Sequence, residues 1–285
     1  MALTRFRAYQ LGEEGSSFSY CHDGYFTLVE ARITEQNISH VFDEIKTYGA
    51  GTLDVLHITS WDQDHCNPID LKVIIKHLTP NIIEAPGYLP STDSGKDSRN
   101  TIIEYKNDGG IVRLIDPTFL NSLGSAEELK RNDVVLWPWK LDADNDNNNS
   151  VAKLFRAGHF TVLSLGDIET ESIADSIISG EILSNEVDVM ILAHHGADNG
   201  FTNDKMLKTL NPRAAICTSN YDNQYHHPKQ SIQQLLNNND IPLFTTKTGD
   251  VIIQSGDDVS EYSVFNLIAN TSKVSSSTTI KAKSY

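Results

Sequence analysis

Leu53–His65 reads LDVLHITSWDQDH. Its first part, Leu53–Thr59, is a short apolar run rich in β-branched residues, with the length and composition of a buried strand. The chain then turns polar at Ser60, and Asp62, Asp64 and His65 fall within four positions. Side chains that follow a buried strand so closely converge on one point at the sheet edge. Two carboxylates that near to each other repel when ionised, and a bound divalent cation is the simplest way to keep both charged. A solvated acidic turn capping the next helix accounts for the same residues, so this stretch alone leaves the choice open.

Three further segments share the pattern of an apolar run that stops at ligand-type residues. Phe160–Leu165 runs into Gly166 and Asp167, Val187–Ala193 into His194, His195 and Gly196, and Ala214–Thr218 into SNYDNQYHHP. Each is weak alone, because Gly-Asp often just starts a helix and paired histidines often pack or hydrogen-bond. Together they suggest one site in which Asp167 bridges metals and a histidine of the pair completes the ligand shell.

Helical patterns follow several of these strands, which puts the polar residues on strand-to-helix loops, where layered α/β proteins place their sites. Pro68 opens a helix along which Leu71, Ile74, Ile75 and Leu78 repeat on one face. Glu169–Leu183 reads as a second helix, Met206, Leu207 and Leu210 mark a third, and Ile232, Leu235 and Leu236 a fourth. Phe6–Ala31 reads as antiparallel sheet. Pro90–Asn132 mixes turns with short apolar pieces and is expected to be an irregular excursion, and residues 141–150 a surface loop. Residues 1–269 are expected to form one domain, followed by a disordered Ser/Thr/Lys-rich tail over 270–285.

Hydrophobic residues make up 39% and charged residues 21%, the balance of a globular chain. No apolar run has the length of a membrane span, and the start lacks the apolar centre of a signal peptide, so no membrane partner and a cytoplasmic location are expected. Cys21, Cys66 and Cys217 show no CxxC spacing and read as free thiols, Cys66 as core. The formal net charge of −15 and the lack of a Lys/Arg cluster argue against a protein that tracks a long polyanion. A phosphate-bearing substrate would need metal ions or a local patch to overcome that field. His22, His40, His57, His77 and His159 lie away from the strand ends and are assigned to surface or packing.

The order of these segments resembles the metallo-β-lactamase superfamily, in particular the hydrolase domain of ComEC-like competence proteins. In that group a strand leads into HxHxDH or HxDxDH, and here the positions read Ser60-x-Asp62-x-Asp64-His65. Leu163–Glu169 (LSLGDIE) is similar to the family's Gly-Asp segment, and Leu192–Gly200 (LAHHGADNG) to its His-His-Gly segment. Asn223–Pro228 (NQYHHP) resembles a late Asn-x-Tyr-Gly-His-Pro element, with His227 on the family histidine and His226 in place of the glycine. Tyr9–Tyr20 is a looser likeness to its opening turn. The resemblance covers most of the chain and implies an α/β (α+β) fold, an αββα sandwich of two mixed sheets flanked by helices.

It also implies a ligand set. Asp64, His65, Asp167 and one of His194 and His195 hold one metal position whole. Ser60 replaces the first histidine of the motif, which weakens the other position, because a neutral hydroxyl is a poorer ligand than imidazole. Asp62, with an asparagine among Asn147, Asn148 and Asn149, is available to complete it. Oxygen donors in place of imidazoles favour Mn²⁺, with Zn²⁺ or Mg²⁺ as alternatives, for one or two ions in all. Glu30 aligns loosely with a family acidic position that supports the ligands by hydrogen bonding.

The expected activity is hydrolysis of a phosphodiester, in nucleic acid or a nucleotide, by a metal-activated water. Asp64 and His227 are the catalytic candidates, and His227 and Lys229 the substrate contacts. Two other readings stay open: hydrolysis of a non-phosphate ester or amide bond, and a non-catalytic protein with a degraded site that binds a ligand or a protein partner.

Overall fold

The computed structural model describes residues 3–123, 132–179, 183, 186–256, 258 and 260–283. The chain up to Ile115 contributes β1 (Thr4–Ala8), β2 (Phe18–His22), β3 (Tyr25–Val29), β4 (Val55–His57), β5 (Ile82–Pro86) and β6 (Ile111–Ile115). A second sheet follows from β7 (Val134–Trp137), β8 (Ala152–Phe155), β9 (Val162–Ser164), β10 (Val189–Ile191), β11 (Ala214–Cys217) and β12 (Leu243–Thr245). The chain then returns to the first sheet with β13 (Val251–Ser255), β14 (Glu261–Leu267) and β15 (Val274–Lys281). The larger sheet has the order β15-β14-β13-β1-β2-β3-β4-β5-β6 and the smaller β12-β11-β10-β9-β8-β7.

Both sheets are mixed. β3 to β6 run parallel, as do β9 to β12, while β1, β2 and β13 to β15 pair antiparallel. Parallel strands need crossover helices, and these cover the outer faces. On the larger sheet, α1 (Ile38–Tyr48), α2 (Pro68–Leu78) and α3 (Asp93–Asn107) set Val41, Ile45, Leu71, Ile74 and Ile102 over Leu28, Leu56 and Ile83. After the short α4 (Pro117–Asn121), the smaller sheet is covered by α5 (Glu171–Ile178), α6 (Asp204–Leu210) and α7 (Gln230–Asn238). These bury Ile173, Ile177, Met206, Leu210, Ile232 and Leu236 against Leu163, Met190 and Ala215. Between the sheets, Phe6, Phe18 and Tyr20 meet Phe155, Phe160, Val162 and Val189. This is the αββα sandwich. No helix among the described residues is long and apolar enough to cross a membrane.

Three expectations are corrected. Pro90–Asn132 is not an irregular excursion where it is described: it holds α3, β6 and α4, while 124–131 lie outside the described residues. The helix α3 escapes periodicity because it packs through small residues, with Gly95, Ser98 and Thr101 buried beside Ile102. Likewise, Val274–Lys281 is the edge strand of the larger sheet, paired with β14 along its length, not a disordered tail. Its side chains are nearly all exposed, so only backbone pairing reveals it. The second helix is shorter than expected, ending at Ile178, and residues 180–182 lie outside the described set.

One polar cluster sits between the sheets. Glu84 accepts hydrogen bonds from His57 Nδ1 at 2.9 Å, Lys153 Nζ at 2.8 Å and Arg113 Nη1 at 2.5 Å. Burial is the largest influence on Glu84 and pushes its carboxyl up, yet Lys153 and His57 outweigh it and hold the group well below its ordinary range. Burial, reinforced by Lys153, lowers His57, so its ring is kept neutral. Glu84→Ala would strand Lys153 without its carboxylate, at a cost of about 3–5 kcal/mol, measured as a lowered denaturant midpoint; a loss below about 1 kcal/mol would contradict this account. Because the folded value of Glu84 is depressed, its contribution is present above the unfolded carboxyl pKa and is lost as pH falls through the folded value. The gap between wild type and Glu84→Ala should therefore narrow in acid.

Candidate metal centre

The carboxyl ends of parallel strands from both sheets open on the same cleft, the position favoured for sites in such folds. The loop Ser60–His65 follows β4, Gly166–Asp167 follows β9 and His194–His195 follows β10. Two backbone bonds anchor these strand ends: Val151 N, just before β8, donates to Thr59 O at 2.8 Å, and His194 N to Gly166 O at 2.9 Å. Gly166 lies at φ +54°, and a Cβ there would meet Ser150 Cβ at 2.7 Å, so only glycine lets the end of β9 pack this closely. Gly15 has the same role on the opposite wall, where a Cβ would lie 2.3 Å from the carbonyl oxygen of Asp64. His194 and His195 take left-handed backbone at φ 45° and 53°, uncommon for side chains of this size and typical of strain held at a site.

One donor atom each from Asp64, His65, Asp167 and His195 lies within 4.8 Å of the others. Both rings are oriented by the nitrogen that faces away from the cluster. His65 Nδ1–H donates to Glu30 Oε1 at 3.1 Å, and Glu30 also accepts Thr59 N at 3.0 Å and Thr59 Oγ1 at 2.5 Å. His195 Nδ1–H donates to the carbonyl of Thr218 at 2.7 Å. Each ring thus presents Nε2 inward: His65 Nε2 lies 2.9 Å from Asp167 Oδ1, and His195 Nε2 lies 3.1 Å from Asp64 Oδ2. His65 Nε2 is buried and makes no aligned hydrogen bond. Two lone-pair nitrogens facing two carboxylates need either protons or a cation between them, and this nitrogen and oxygen set suits a divalent ion.

Electrostatics support the same conclusion. Burial, the largest influence, pushes Asp64 and Asp167 upward, but His65 and His195 overcome it and leave both carboxyls below their ordinary range. Burial pulls both histidines down, and the carboxylates raise them instead, His65 strongly. With no ion, the cluster holds its charge by taking up protons, the role a divalent cation fills in their place. At Asp62 burial dominates, and with Asp64 and Asp167 it raises the carboxyl despite His65.

The cleft, of about 920 Å³, brings in most of the residues singled out from sequence. Asp62, Asn147, His194 and His227 border it beside Asp64, Asp167 and His195, whereas Lys229 does not. Lys229 Nζ donates to the carbonyl of Tyr225 at 2.7 Å and supports the loop. Of the paired histidines, His195 lies in the cluster, while His194 Nδ1 lies 2.8 Å from Glu169 Oε1. Asn147 is the asparagine of the three that borders the cleft, its Nδ2 donating to Glu169 Oε1 at 3.0 Å, whereas Asn148 and Asn149 are buried in loop hydrogen bonds. Ser60 is buried with its hydroxyl between Asp62 Oδ2 at 3.2 Å and Tyr88 Oη at 3.4 Å.

Two residues without an expected role shape the site. Asn223 Oδ1 accepts His227 N at 2.5 Å while its Nδ2 donates to the carbonyls of Asn220 and His227, so one amide clamps the loop that carries His227. Arg32, on the opposite wall, is held by Glu13 and Asp70. Asn223 was quotable from its motif, but nothing in a linear sequence shows which carbonyls an amide will meet. Glu30 does lie where the looser likeness put it. Glu30→Gln keeps its shape but removes the charge behind His65 Nδ1–H, and should weaken Mn²⁺ affinity about 10- to 100-fold with unchanged far-UV circular dichroism; wild-type affinity by chelator competition would rule out this positioning role.

No protein-family profile matches the chain. It is 26% identical over 227 residues to ComE operon protein 3 of Bacillus subtilis (strain 168), covering 76% of this chain and 26% of that protein. It is 30% identical over 105 residues to competence protein ComA of Neisseria gonorrhoeae, covering 36% of this chain and 14% of that one. The chain thus spans about a quarter of the first relative and less of the second. Among solved structures, Igni18, a metallo hydrolase from Ignicoccus hospitalis KIN4/I, superposes with a TM-score of 0.52 at 11% identity, over 90% of this chain and all of that one. The E377D mutant of CmlA β-hydroxylase gives 0.51 at 12% identity, over 88% of this chain and 53% of that one. The chain therefore has the metallo-β-lactamase fold, and its sequence likeness within that fold is to ComEC-like proteins.

Proposed function

We propose that this chain is a metal-dependent hydrolase of phosphodiesters. The observation that carries the reading is the convergence of Asp64, His65, Asp167 and His195 at the open end of the sandwich. A divalent ion held there would supply Lewis acidity, lowering the pKa of an attacking water and stabilising charge on the phosphoryl group. Of the two carboxylates in the cluster, Asp64 is the more open to the cleft, with 34% of its side chain exposed against 5% for Asp167. It takes the proton of the attacking water, while Asp167 and His65, both buried, hold position.

His227 borders the same cleft, and burial together with His195 and His194 lowers its pKa to about 4. It is neutral at neutral pH and serves as a hydrogen-bond donor to a phosphate oxygen rather than as the acid for the leaving group. In the reaction the water oxygen bonds to phosphorus, the ester P–O bond breaks, and the departing oxygen regains its proton from solvent. The phosphodiester class rests on the likeness to competence proteins, and the preference for Mn²⁺ on Ser60, Asp62 and Asn147 giving the second position oxygen donors in place of imidazole. Asp62 and Asn147 offer a second, weaker position, so titration of the apo-protein should give one tight Mn²⁺ equivalent.

Asp64→Ala and Asp167→Ala should each reduce Mn²⁺-dependent hydrolysis of bis(p-nitrophenyl) phosphate to background and abolish the tight equivalent, with circular dichroism unchanged. Full activity in either variant, or a wild type that binds Mn²⁺ without cleaving the ester under any of Mn²⁺, Mg²⁺ and Zn²⁺, would remove the assignment.

A further inference from the structure

Beyond the cluster, the cleft has two walls of unlike chemistry. One is aromatic. The His195 and His227 rings are near parallel, with centroids 6.5 Å apart and planes 24° from each other. Tyr225 continues the series, 5.7 Å from His227 and tilted by 20°. His195 and His227 are largely buried, but Tyr225 is 55% exposed and borders the cleft. The ladder therefore leads from the ion-binding atoms to an open aromatic ring at the mouth. The loop that carries the ring is held in place: Asn223 clamps it at His227, Lys229 Nζ caps the Tyr225 carbonyl, and Gln224 Nε2 donates to Glu14 Oε1 at 3.1 Å across the cleft.

The other wall is acidic. Glu13 and Glu14 lie on it, and Arg32 is the sole lysine or arginine among the described residues bordering the cleft. Arg32 is already paired, Nη2 with Glu13 Oε1 at 2.5 Å and Nη1 with Asp70 Oδ2 at 2.9 Å. A polynucleotide gains affinity by neutralising successive phosphates with free cations, and this cleft has none to give. A half-exposed, preorganised aromatic ring beside a single ion-binding cluster instead suits a planar base next to one phosphate. The volume is at the upper end of the roughly 300–1,000 Å³ typical of small-molecule sites.

Resting on the phosphodiester reading above, we propose that Tyr225 is the stacking platform for the base that flanks the scissile phosphate, and that the acidic wall restricts the substrate to a short nucleotide diester.

Two measurements test this separately from the hydrolysis itself. The first uses a 2-aminopurine dinucleotide with an uncharged, uncleavable methylphosphonate link, titrated into the metal-free protein. Its fluorescence should be quenched by wild type and by Tyr225→Phe but not by Tyr225→Ala; absence of quenching in wild type, or equal quenching in the alanine variant, overturns the platform. The second compares kcat/KM with Mn²⁺ for a dinucleotide, the same compound with an abasic sugar, and a twelve-residue single strand. Wild type and Tyr225→Phe should prefer the base-bearing dinucleotide about tenfold over the abasic one, and Tyr225→Ala should lose that preference. A twelve-residue strand cleaved tenfold better per bond than the dinucleotide overturns the restriction to short substrates. If no phosphodiester is cleaved at all, the functional reading fails, while the quenching still reports on Tyr225.

Discussion

Two imidazole N–H bonds decide the chemistry of this molecule. His65 gives its Nδ1–H to Glu30 and His195 gives its own to the Thr218 carbonyl, so both rings turn Nε2 toward two carboxylates. Had the outer partner of either ring been a hydrogen-bond donor, the outer nitrogen would accept, the inward nitrogen would carry the proton, and it could not ligate a cation. The partners that fix the tautomers are themselves anchored, Glu30 by the backbone and hydroxyl of Thr59, and Thr218 by its place at the end of β11. Rigid strand ends thereby do the positioning, which suits a centre that must hold distances to fractions of an ångström.

The sandwich supplies those strand ends from both sheets at once. Asp64 and His65 come from the larger sheet, and Asp167 and His195 from the smaller, with the apolar layer of Phe18, Phe155, Phe160 and Val162 fixing the distance between them. The fold does not by itself choose a reaction. Igni18, a metallo hydrolase, and the CmlA β-hydroxylase share this architecture, so side chains rather than topology distinguish one reaction from another.

Much of this was legible in the sequence, for a physical reason: buried strands need continuous apolar runs, and a cluster of ionisable residues straight after one has few structural uses. Asp64, His65 and Asp167 were visible on that ground, and so was the histidine pair. The choice of His195 over His194 was not, because it depends on two left-handed residues in a row and on Glu169 drawing one ring aside. Lys229 looked like a substrate contact because it follows His227 closely, yet its ammonium folds back on a carbonyl. Two elements that leave no apolar period, α3 and β15, are stabilised by small-residue packing and by backbone pairing.

The path of the chain has one further consequence. Strand β1 lies between β2 and β13, so Arg5 pairs with Cys21 on one side and with Gln254 on the other, and Arg7 reaches Asp250 by a buried ion pair. A nascent chain cannot complete its larger sheet until β13 to β15 have been synthesised. Until then β1 exposes an open edge, and closing so long a loop is entropically slow. Synthesis of this protein therefore passes through a long interval in which a half-finished sheet is open to wrong pairing, the interval in which chaperones hold such chains apart.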